Sequence, residues 1–269
     1  MGLSVWLVGA STGIGYHLAR ELAAELAPEA GHLFISARSA DKLQALADDI
    51  NKSFPKVSVT VLPLDITDAP ARDSALQQIA DTTGSLDWLV LNAGTCEYID
   101  MDRDDNDLDM YDRVLDTNFH GPVRLFHAAL PLLRKGRDPR LVGISSSVTF
   151  SPLPRAQAYG ASKAAFTYWL GTMAADLKPL GIRVQVVSPG FVDTPLTRRN
   201  DFKMPFLLSA EDAGKRIRKG IRRQQAHIHF PKRFTLGLRL FGLLPLGWQY
   251  ALNSKLSRNA AKAKSRSAD

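Results

Sequence analysis

The sequence predicts an α/β fold in which a doubly wound (Rossmann) parallel sheet of about seven strands carries helices on both faces. Short apolar runs rich in Val, Leu and Ile alternate along the chain with longer stretches of helical periodicity. These runs are apolar on both sides, which is typical of parallel strands that are buried beneath two layers of helices. The 269 residues, 45% of them hydrophobic, are enough to form one large domain.

The predicted elements follow one another in a regular order. The first part of the chain contains the strand "LSVWLVG", the helix "IGYHLARELAAEL", the strand "HLFISAR", the helix "DKLQALADDINKSF" and the strand "VSVTVLPLD". The middle part contains the strand "LDWLVLNAG", the helix "YDRVLDTNFHGPVRLFHAALPLL" and the strand "RLVGISSS". A helix from about Gln157 to Lys178, the strand "IRVQVVSPG" and a last strand "AHIHFP" follow. In such a sheet, ligands bind at the carboxyl ends of the strands.

The turn after the first strand, "LVGASTGIG", has the composition of a phosphate-binding turn. Glycines at positions 9, 13 and 15 permit a tight turn and let backbone N–H groups approach a pyrophosphate. The N-terminus of the following helix would stabilise the negative charge. The turn therefore predicts a nucleotide site, although a strand-to-helix turn can also need glycine for its geometry alone.

The order of the motifs along nearly 200 residues resembles the short-chain dehydrogenase/reductase family. The spacing Gly9-x-x-x-Gly13-x-Gly15 is followed by "LDI", "LNAG", Asn118, the serines at 145–147, Tyr159 with Lys163, and "SPGFVDT". Val8 and Leu91 depart from residues common in the family, at supporting positions. The resemblance implies cofactor contacts from Gly9, Ser11, Thr12, Gly13, Ile14, Gly15, Arg38, Asp65, Ile66, Asn92, Ala93, Gly94, Tyr159, Lys163, Pro189, Gly190, Val192 and Thr194.

The resemblance also implies a catalytic set of Asn118, Ser146, Tyr159 and Lys163. Tyr159 would supply a proton, and Lys163, one helical turn along, would lower the pKa of the phenol by its charge. The family usually has its catalytic serine thirteen positions before the tyrosine, so Ser146 would hydrogen-bond the substrate oxygen. Ser147 is the alternative, because a Val follows it, as one often follows the serine of the family. Asn118 would anchor a water of the proton relay.

The end of the second strand, "ISAR", predicts the choice of nicotinamide cofactor. An acidic residue there would bind the free ribose hydroxyls of NAD(H) and repel a 2′-phosphate. Ala37 and Arg38 instead leave room for that phosphate and supply a planar cation that can grip it. We therefore expect NADP(H), with NAD(H) as the less favoured cofactor, although Thr12 stands where many NADP-using members have a second basic residue.

The charge of the chain is concentrated at its C-terminal end. Residues 1–197 carry a net charge of −6, whereas residues 198–269 contain 17 Lys and Arg against 4 Asp and Glu. We expect a catalytic domain over residues 1–232, with a lid at about 195–210, and a basic, apolar extension over residues 233–269. The apolar segment "RFTLGLRLFGLLPLGWQYALNSKL" would pack on the body or a sister subunit, contact a membrane peripherally through residues 233–252, or cover the active site.

Further expectations concern location, metals and partners. Because Cys96 is the only cysteine and the apolar start lacks the features of a signal peptide, we expect a cytoplasmic protein, with peripheral membrane association left open. His227 and His229 alternate on the last strand, where we expect a solvated sheet edge rather than a metal site. We expect a homodimer or homotetramer and no nucleic-acid partner.

The expected function is the interconversion of a carbonyl compound and an alcohol by hydride transfer, with Tyr159 as general acid and base. The substrate would be a small molecule, and the apolar residues around the site favour a lipophilic one. The alternative is a catalytically idle NADP(H)-binding scaffold or redox sensor that acts through its basic C-terminal segment.

Overall fold

A computed structural model describes residues 2–99 and 107–254 of the chain. Its strands are β1 Ser4–Val8, β2 His32–Ala37, β3 Ser58–Pro63, β4 Trp88–Leu91, β5 Arg140–Ile144, β6 Arg183–Pro189, β7 Val192–Asp193, β8 Leu208–Ser209 and β9 His227–Phe230. Its α-helices are α1 Gly13–Leu26, α2 Ala40–Ser53, α3 Ala69–Thr83, α4 Asp109–Leu115, α5 Gly121–Leu133, α6 Gln157–Leu177, α7 Ala210–Arg222, α8 Lys232–Gly242 and α9 Leu246–Ser254.

The central sheet has seven strands in the order β3-β2-β1-β4-β5-β6-β9, and every pair is parallel. The predicted fold class is therefore confirmed. Because β2 and β3 extend from one side of β1 and β4 extends from the other, the strand order reverses between β1 and β4. At such a reversal the connections leave in opposite directions and open a crevice at the carboxyl ends of the strands.

Two apolar layers cover the sheet, one on each face. Along β1, Val5 and Leu7 point into the layer that contains residues of α1, α2 and α7, whereas Trp6 and Val8 point into the layer that contains residues of α3, α5 and α6. This alternation is the two-residue period of a strand that is buried on both faces. The one polar atom that Trp6 brings into its layer is satisfied, because Nε1 donates to Ser36 Oγ at 2.8 Å.

The C-terminal segments pack against the body. Ser209 caps α7, because its Oγ accepts from the backbone N–H of Asp212 at 3.0 Å. The helix α8 contacts β9 and the short helical turn Ser147–Phe150. Residues 255–269 of the predicted extension lie outside the described residues.

In the part of the chain that the structure covers, no helix combines the length and the apolar character needed to cross a membrane.

Candidate active site

A cavity of about 830 Å³ lies at the carboxyl ends of the strands, where the strand order reverses. Its walls come from the turn after β1, the ends of β2 to β5, the helix α6 and the segment after β7. Of the residues predicted to touch a cofactor, the cavity wall includes Gly9, Ser11, Thr12, Gly13, Ile14, Arg38, Asp65, Ile66, Asn92, Ala93, Gly94, Tyr159, Lys163 and Thr194. Gly15, Pro189, Gly190 and Val192 are not part of that wall.

The glycine-rich turn leads from β1 into the N-terminus of α1. Gly9 and Gly13 have φ angles of 92° and 56°, which side chains rarely tolerate. A Cβ atom on Gly15 would lie 1.9 Å from the carbonyl oxygen of Gly9, so this position supports the turn rather than lining the cavity. Asn92 holds the same carbonyl through Nδ2 at 2.7 Å, and it thereby ties the end of β4 to the turn.

These features fit the phosphates of a dinucleotide. Gly9 and Gly13 of the turn line the cavity, and the turn leads directly into a helix N-terminus. Gly94 lies close to two polar groups of the site, because a Cβ atom there would lie 3.2 Å from Asn118 Oδ1 and 3.3 Å from Lys163 Nζ. An added side chain would fill the space between these two polar groups.

Basic and hydroxyl side chains line the cavity beyond the end of β2. Arg38 and Lys42 are exposed and lie in the wall with Ser39. Asp65, after β3, faces the same region. Burial acts to raise the pKa of Asp65, but hydrogen bonds from Thr67 and the charge of Arg38 together hold that pKa below its usual value. Lys42, four positions after Arg38, was not predicted from the sequence.

Tyr159 lies near the start of α6, with Ser146 beside it. Burial raises the pKa of the phenol to about 12, and a hydrogen bond with the Ser146 side chain acts in the opposite direction. Ser146 caps the short helical turn that follows β5, where its Oγ accepts from the backbone N–H of Val148 at 3.2 Å. Ser147, the sequence alternative, is buried within that turn.

Lys163 lies one helical turn after Tyr159 and is buried. Its Nζ donates to the carbonyl oxygen of Ile144 at 2.9 Å, at the end of β5. Burial lowers the pKa of this amine to about 8. The amine therefore stands at the cavity wall with one hydrogen bond to the backbone and further N–H groups to offer.

Asn118 lies in a wide helical turn, Asp116–His120, which joins α4 to α5. Wide turns of this kind are frequent at functional sites. The buried side chain clamps the backbone of Thr95, since Oδ1 accepts from its N–H at 2.8 Å and Nδ2 donates to its carbonyl at 2.9 Å. Nδ2 also donates to Ser162 Oγ at 2.9 Å, so Asn118 links the loop after β4 to α6.

The segment after β6 lies partly behind the cavity. Gly190 donates to the carbonyl oxygen of Phe230 at 2.7 Å, and a Cβ atom on it would lie 2.8 Å from the ring of Phe234. Val192 is buried in β7. Thr194 does reach the cavity, where its backbone N–H donates to Thr197 Oγ1 at 3.0 Å.

A chain of aromatic rings extends from the loop after β4, through the segments that flank β7, to α8. Tyr98 packs edge-to-face with Phe202 at a centroid distance of 6.3 Å, Phe202 contacts Phe191 at 5.9 Å, and Phe191 contacts Phe234 at 5.4 Å. The Tyr98 hydroxyl donates to Asn200 Oδ1 at 2.8 Å, which attaches the segment after β7 to the loop after β4. The sequence did not predict this cluster, because its members come from four separate segments.

The expected solvated edge at His227 and His229 is wrong. His229 is buried, and its Nδ1 donates to Thr235 Oγ1 at 2.7 Å because Lys232 donates to its Nε2 at 3.0 Å. Arg239 likewise donates to His227 Nδ1 at 2.7 Å, so Nε2 of that ring donates to Ser188 Oγ. Burial and the two cations lower the pKa of both imidazoles to about 4. Helix α8 covers the edge and satisfies both rings.

The family model described as short chain dehydrogenase matches residues 4–204. Two relatives illustrate the similarity. An uncharacterized oxidoreductase of Myxococcus xanthus is 34% identical over 239 residues, which cover 89% of this chain and 91% of the relative. The 11-beta-hydroxysteroid dehydrogenase-like 2 protein of Arabidopsis thaliana is 30% identical over 235 residues, which cover 86% and 74% of the two chains.

Solved structures share the fold. A short-chain dehydrogenase from Sphingobium yanoikuyae in complex with NADPH aligns with a TM-score of 0.76 and 24% identity, covering 90% of this chain and 96% of the other. An alcohol dehydrogenase from Thermococcus sibiricus complexed with 5-hydroxy-NADP aligns with a TM-score of 0.74 and 22% identity, covering 85% and 95%. At these identities the likeness concerns the fold.

Proposed function

This chain belongs to the short-chain dehydrogenase family, and we propose that it is an NADP(H)-dependent oxidoreductase that interconverts a ketone or aldehyde and the corresponding alcohol. One observation carries the proposal. Tyr159, hydrogen-bonded to Ser146, and the buried Lys163 lie together at the wall of a cavity whose other end has a glycine-rich turn and exposed cations. A proton donor and a dinucleotide site thus share one cavity.

Tyr159 would act as the general acid for carbonyl reduction. Its raised pKa keeps the phenol protonated across the neutral range, so the proton is available for the carbonyl oxygen. Ser146 would hold that oxygen against Tyr159, because its hydroxyl can donate to the substrate while it contacts the phenol. When bound, the nicotinamide would supply or accept the hydride.

Lys163 and Asn118 would support the proton transfer. The Lys163 amine, with N–H groups left to donate, would hold the ribose hydroxyls next to Tyr159 and favour the phenolate by its charge. Asn118 Oδ1 and Lys163 Nζ both approach the space above Gly94, so a water held between them would return a proton to the amine. Thr194, with Pro189, Gly190 and Val192 behind it, would position the carboxamide.

The cofactor preference is proposed from the cavity beyond β2. Arg38 and Lys42 would bind the 2′-phosphate of NADP(H), and Ser39 would add a hydroxyl donor. No acidic side chain occupies the tip of β2, where Ala37 precedes Arg38. Asp65 and Ile66 would contact the adenine. The NADPH complex of the Sphingobium yanoikuyae enzyme, which shares the fold, is consistent with this preference.

We further propose a lipophilic small-molecule substrate and a homodimer or homotetramer. The aromatic rings of Tyr98, Phe202, Phe191 and Phe234 would favour an apolar substrate on the lid side of the site. The family is typically oligomeric, which supports assembly of this chain with copies of itself.

The experiment that tests the reaction is loss of NADPH absorbance with a panel of aldehydes, ketones and quinones. Tyr159→Phe removes the acidic proton and keeps the ring, so we expect at least about a hundredfold loss of kcat/KM. Tyr168→Phe is the matched control, since this tyrosine is exposed on the outer side of the same helix. It should keep the parent rate.

Two results would contradict the proposal. Activity that survives Tyr159→Phe would exclude the tyrosine from the proton transfer. Parent protein that binds NADPH tightly but oxidises it with no member of the panel would favour the idle scaffold or redox sensor instead.

A further inference from the structure

The last two described helices and the turn between them carry seven large apolar side chains that are exposed. On α8, Leu236 and Leu240 are exposed one turn apart, and Leu243 follows the helix with 81% of its surface exposed. On α9, Trp248 is 67% exposed. We name the set Leu236, Leu240, Leu243, Leu246, Trp248, Tyr250 and Leu252 the apolar face.

The polarity of α9 is the reverse of an ordinary surface helix, which turns its apolar stripe inward. Its inward residues are Gln249 and Asn253, one turn apart, which are 3% and 8% exposed. Gln249 Nε2 donates to the carbonyl oxygen of Leu244 at 2.7 Å, and Asn253 Nδ2 donates to that of Pro152 at 2.6 Å. These polar contacts fix which side of α9 faces the body, and they leave the Trp and Leu side chains outside.

Helix α8 is held in place equally firmly. Thr235 is fully buried, and its hydroxyl lies 2.7 Å from His229 Nδ1. At the other end, a Cβ atom on Gly242 would lie 2.1 Å from the carbonyl oxygen of Phe150, so the glycine lets the helix touch the backbone. The exposed leucines are therefore held outward by specific contacts of the opposite side.

The charge around the apolar face is positive. Residues 233–254 contain no Asp or Glu, and residues 233–269 contain seven Lys and Arg against a single Asp. Lys232 and Arg233 are exposed at the start of α8. An apolar strip with Trp and Tyr among its members and with flanking cations has the chemistry of a segment that lies in a bilayer interface.

We propose that the apolar face docks on the surface of an anionic lipid bilayer, with the leucines and Trp248 in the headgroup boundary and the cations on lipid phosphates. Each cation near such a surface adds to the attraction. A second copy fits the charge less well, because a twofold contact would bring the same basic segment against itself.

The lid lies beside this face. Phe206 contacts Phe234 of α8 at a centroid distance of 6.1 Å, and both Phe206 and Leu207 are exposed. The cation Lys203, also exposed, is in the same segment. The surface that meets the bilayer thus extends from α9 to the lid.

The test is cosedimentation of the full-length protein with vesicles of phosphatidylcholine alone and of phosphatidylcholine with phosphatidylserine. We expect binding to the anionic vesicles that weakens in high salt. Leu243→Ser with Trp248→Ser should lower the partition coefficient by about tenfold or more, and Leu240→Glu should do so independently. Leu180→Ser, which replaces an exposed leucine at the opposite ends of the strands, should bind as the parent does.

The NADPH affinity and the thermal midpoint of each variant verify that it is folded, and neither depends on whether the carbonyl chemistry is assigned correctly. Two results would overturn the proposal. One is a parent protein that stays in the supernatant with anionic vesicles, and the other is a double variant that binds them as the parent does. A third result would identify a different occupant of the apolar face. If the parent binds no vesicles, and the double variant has a lower sedimentation coefficient than the parent in the absence of lipid, a second copy of the chain covers the face.

Discussion

Burial moves the pKa values of Tyr159 and Lys163, both in α6, in opposite directions. The phenol of Tyr159 is held protonated, and the pKa of the Lys163 amine is lowered to about 8. A low-dielectric site disfavours the charged form of each group, which means a higher pKa for an acid and a lower one for a base. In the protein alone, desolvation therefore raises the pKa of the tyrosine, contrary to the lowering expected from its spacing to Lys163.

This arrangement makes the lysine the group that titrates near neutrality. Because the pKa of Lys163 is lowered to about 8, raising the pH through that value removes the charge that would hold the ribose and favour the phenolate. We expect kcat/KM for carbonyl reduction to fall above about pH 8, while Tyr159 stays protonated. In Lys163→Arg the residual rate should not show this fall, because a guanidinium keeps its charge. An identical inflection in both proteins would assign it to another group.

The cations beyond β2 should determine the choice of cofactor. We expect Arg38→Ala to lower kcat/KM with NADPH by about 10- to 100-fold and to leave the value with NADH nearly unchanged. Lys42→Ala should have a smaller effect of the same kind. Lys52→Ala, in the last turn of the same helix, is the control. A parent protein that prefers NADH, or an equal loss with both cofactors, would contradict this assignment.

The predictability of single residues from the sequence depended on whether they belong to a local motif. Gly9, Tyr159 and Lys163 could be predicted to share a site because the carboxyl ends of parallel strands meet at one edge. Lys42 and Tyr98 could not, since nothing local distinguishes an exposed lysine or a loop tyrosine until the fold brings its neighbours together.

At the level of elements, the first strand, turn and helix depend on a glycine that permits close packing. Gly15→Ala would place a methyl group against the Gly9 carbonyl, so we expect a loss of about 1–3 kcal/mol in the free energy of unfolding, and weaker NADPH binding. Gly237→Ala, in α8, meets nothing within 4 Å and should stabilise the protein by about 0.5–1 kcal/mol. Denaturant unfolding measures both. Equal changes in the free energy of unfolding at the two positions would mean that helix propensity alone, and not the contact with the Gly9 carbonyl, determines the effect of each substitution.

The boundaries of regular elements followed well from periodicity, because alternation between buried strands and amphipathic helices is a local pattern. The stretch predicted as one helix over residues 111–133 does run through, but it contains the wide turn that carries Asn118. The orientation of α9 could not be predicted, since the hydrogen bonds of Gln249 and Asn253 to the body reverse the usual rule that apolar residues face inward.

For the molecule as a whole, the distance between the sheet and α6 positions Tyr159 and Lys163. A Cβ atom on Gly143 in β5 would lie 2.3 Å from Leu170 Cδ1, and Leu170 is fully buried. We expect Gly143→Ala to destabilise the protein by about 1–3 kcal/mol and to lower kcat/KM by displacing α6.

The matched test of that packing is a double-mutant cycle. Adding Leu170→Ala to Gly143→Ala should cost less than the sum of the two single changes, with a coupling of about 1 kcal/mol or more. Strict additivity in urea unfolding would mean that the methyl group is accommodated without moving the helix.

The strand order has a consequence for how the chain can fold as it leaves the ribosome. Strand β1 is made first, β2 and β3 then extend the sheet on one side, and β4, β5, β6 and β9 extend it on the other. Every new strand is therefore added to an open edge, and no pair that has formed must separate to admit a later one. The glycine-rich turn and its supporting strands can assemble before α6 is synthesised, while the outer edge of β4 is still unpaired with β5.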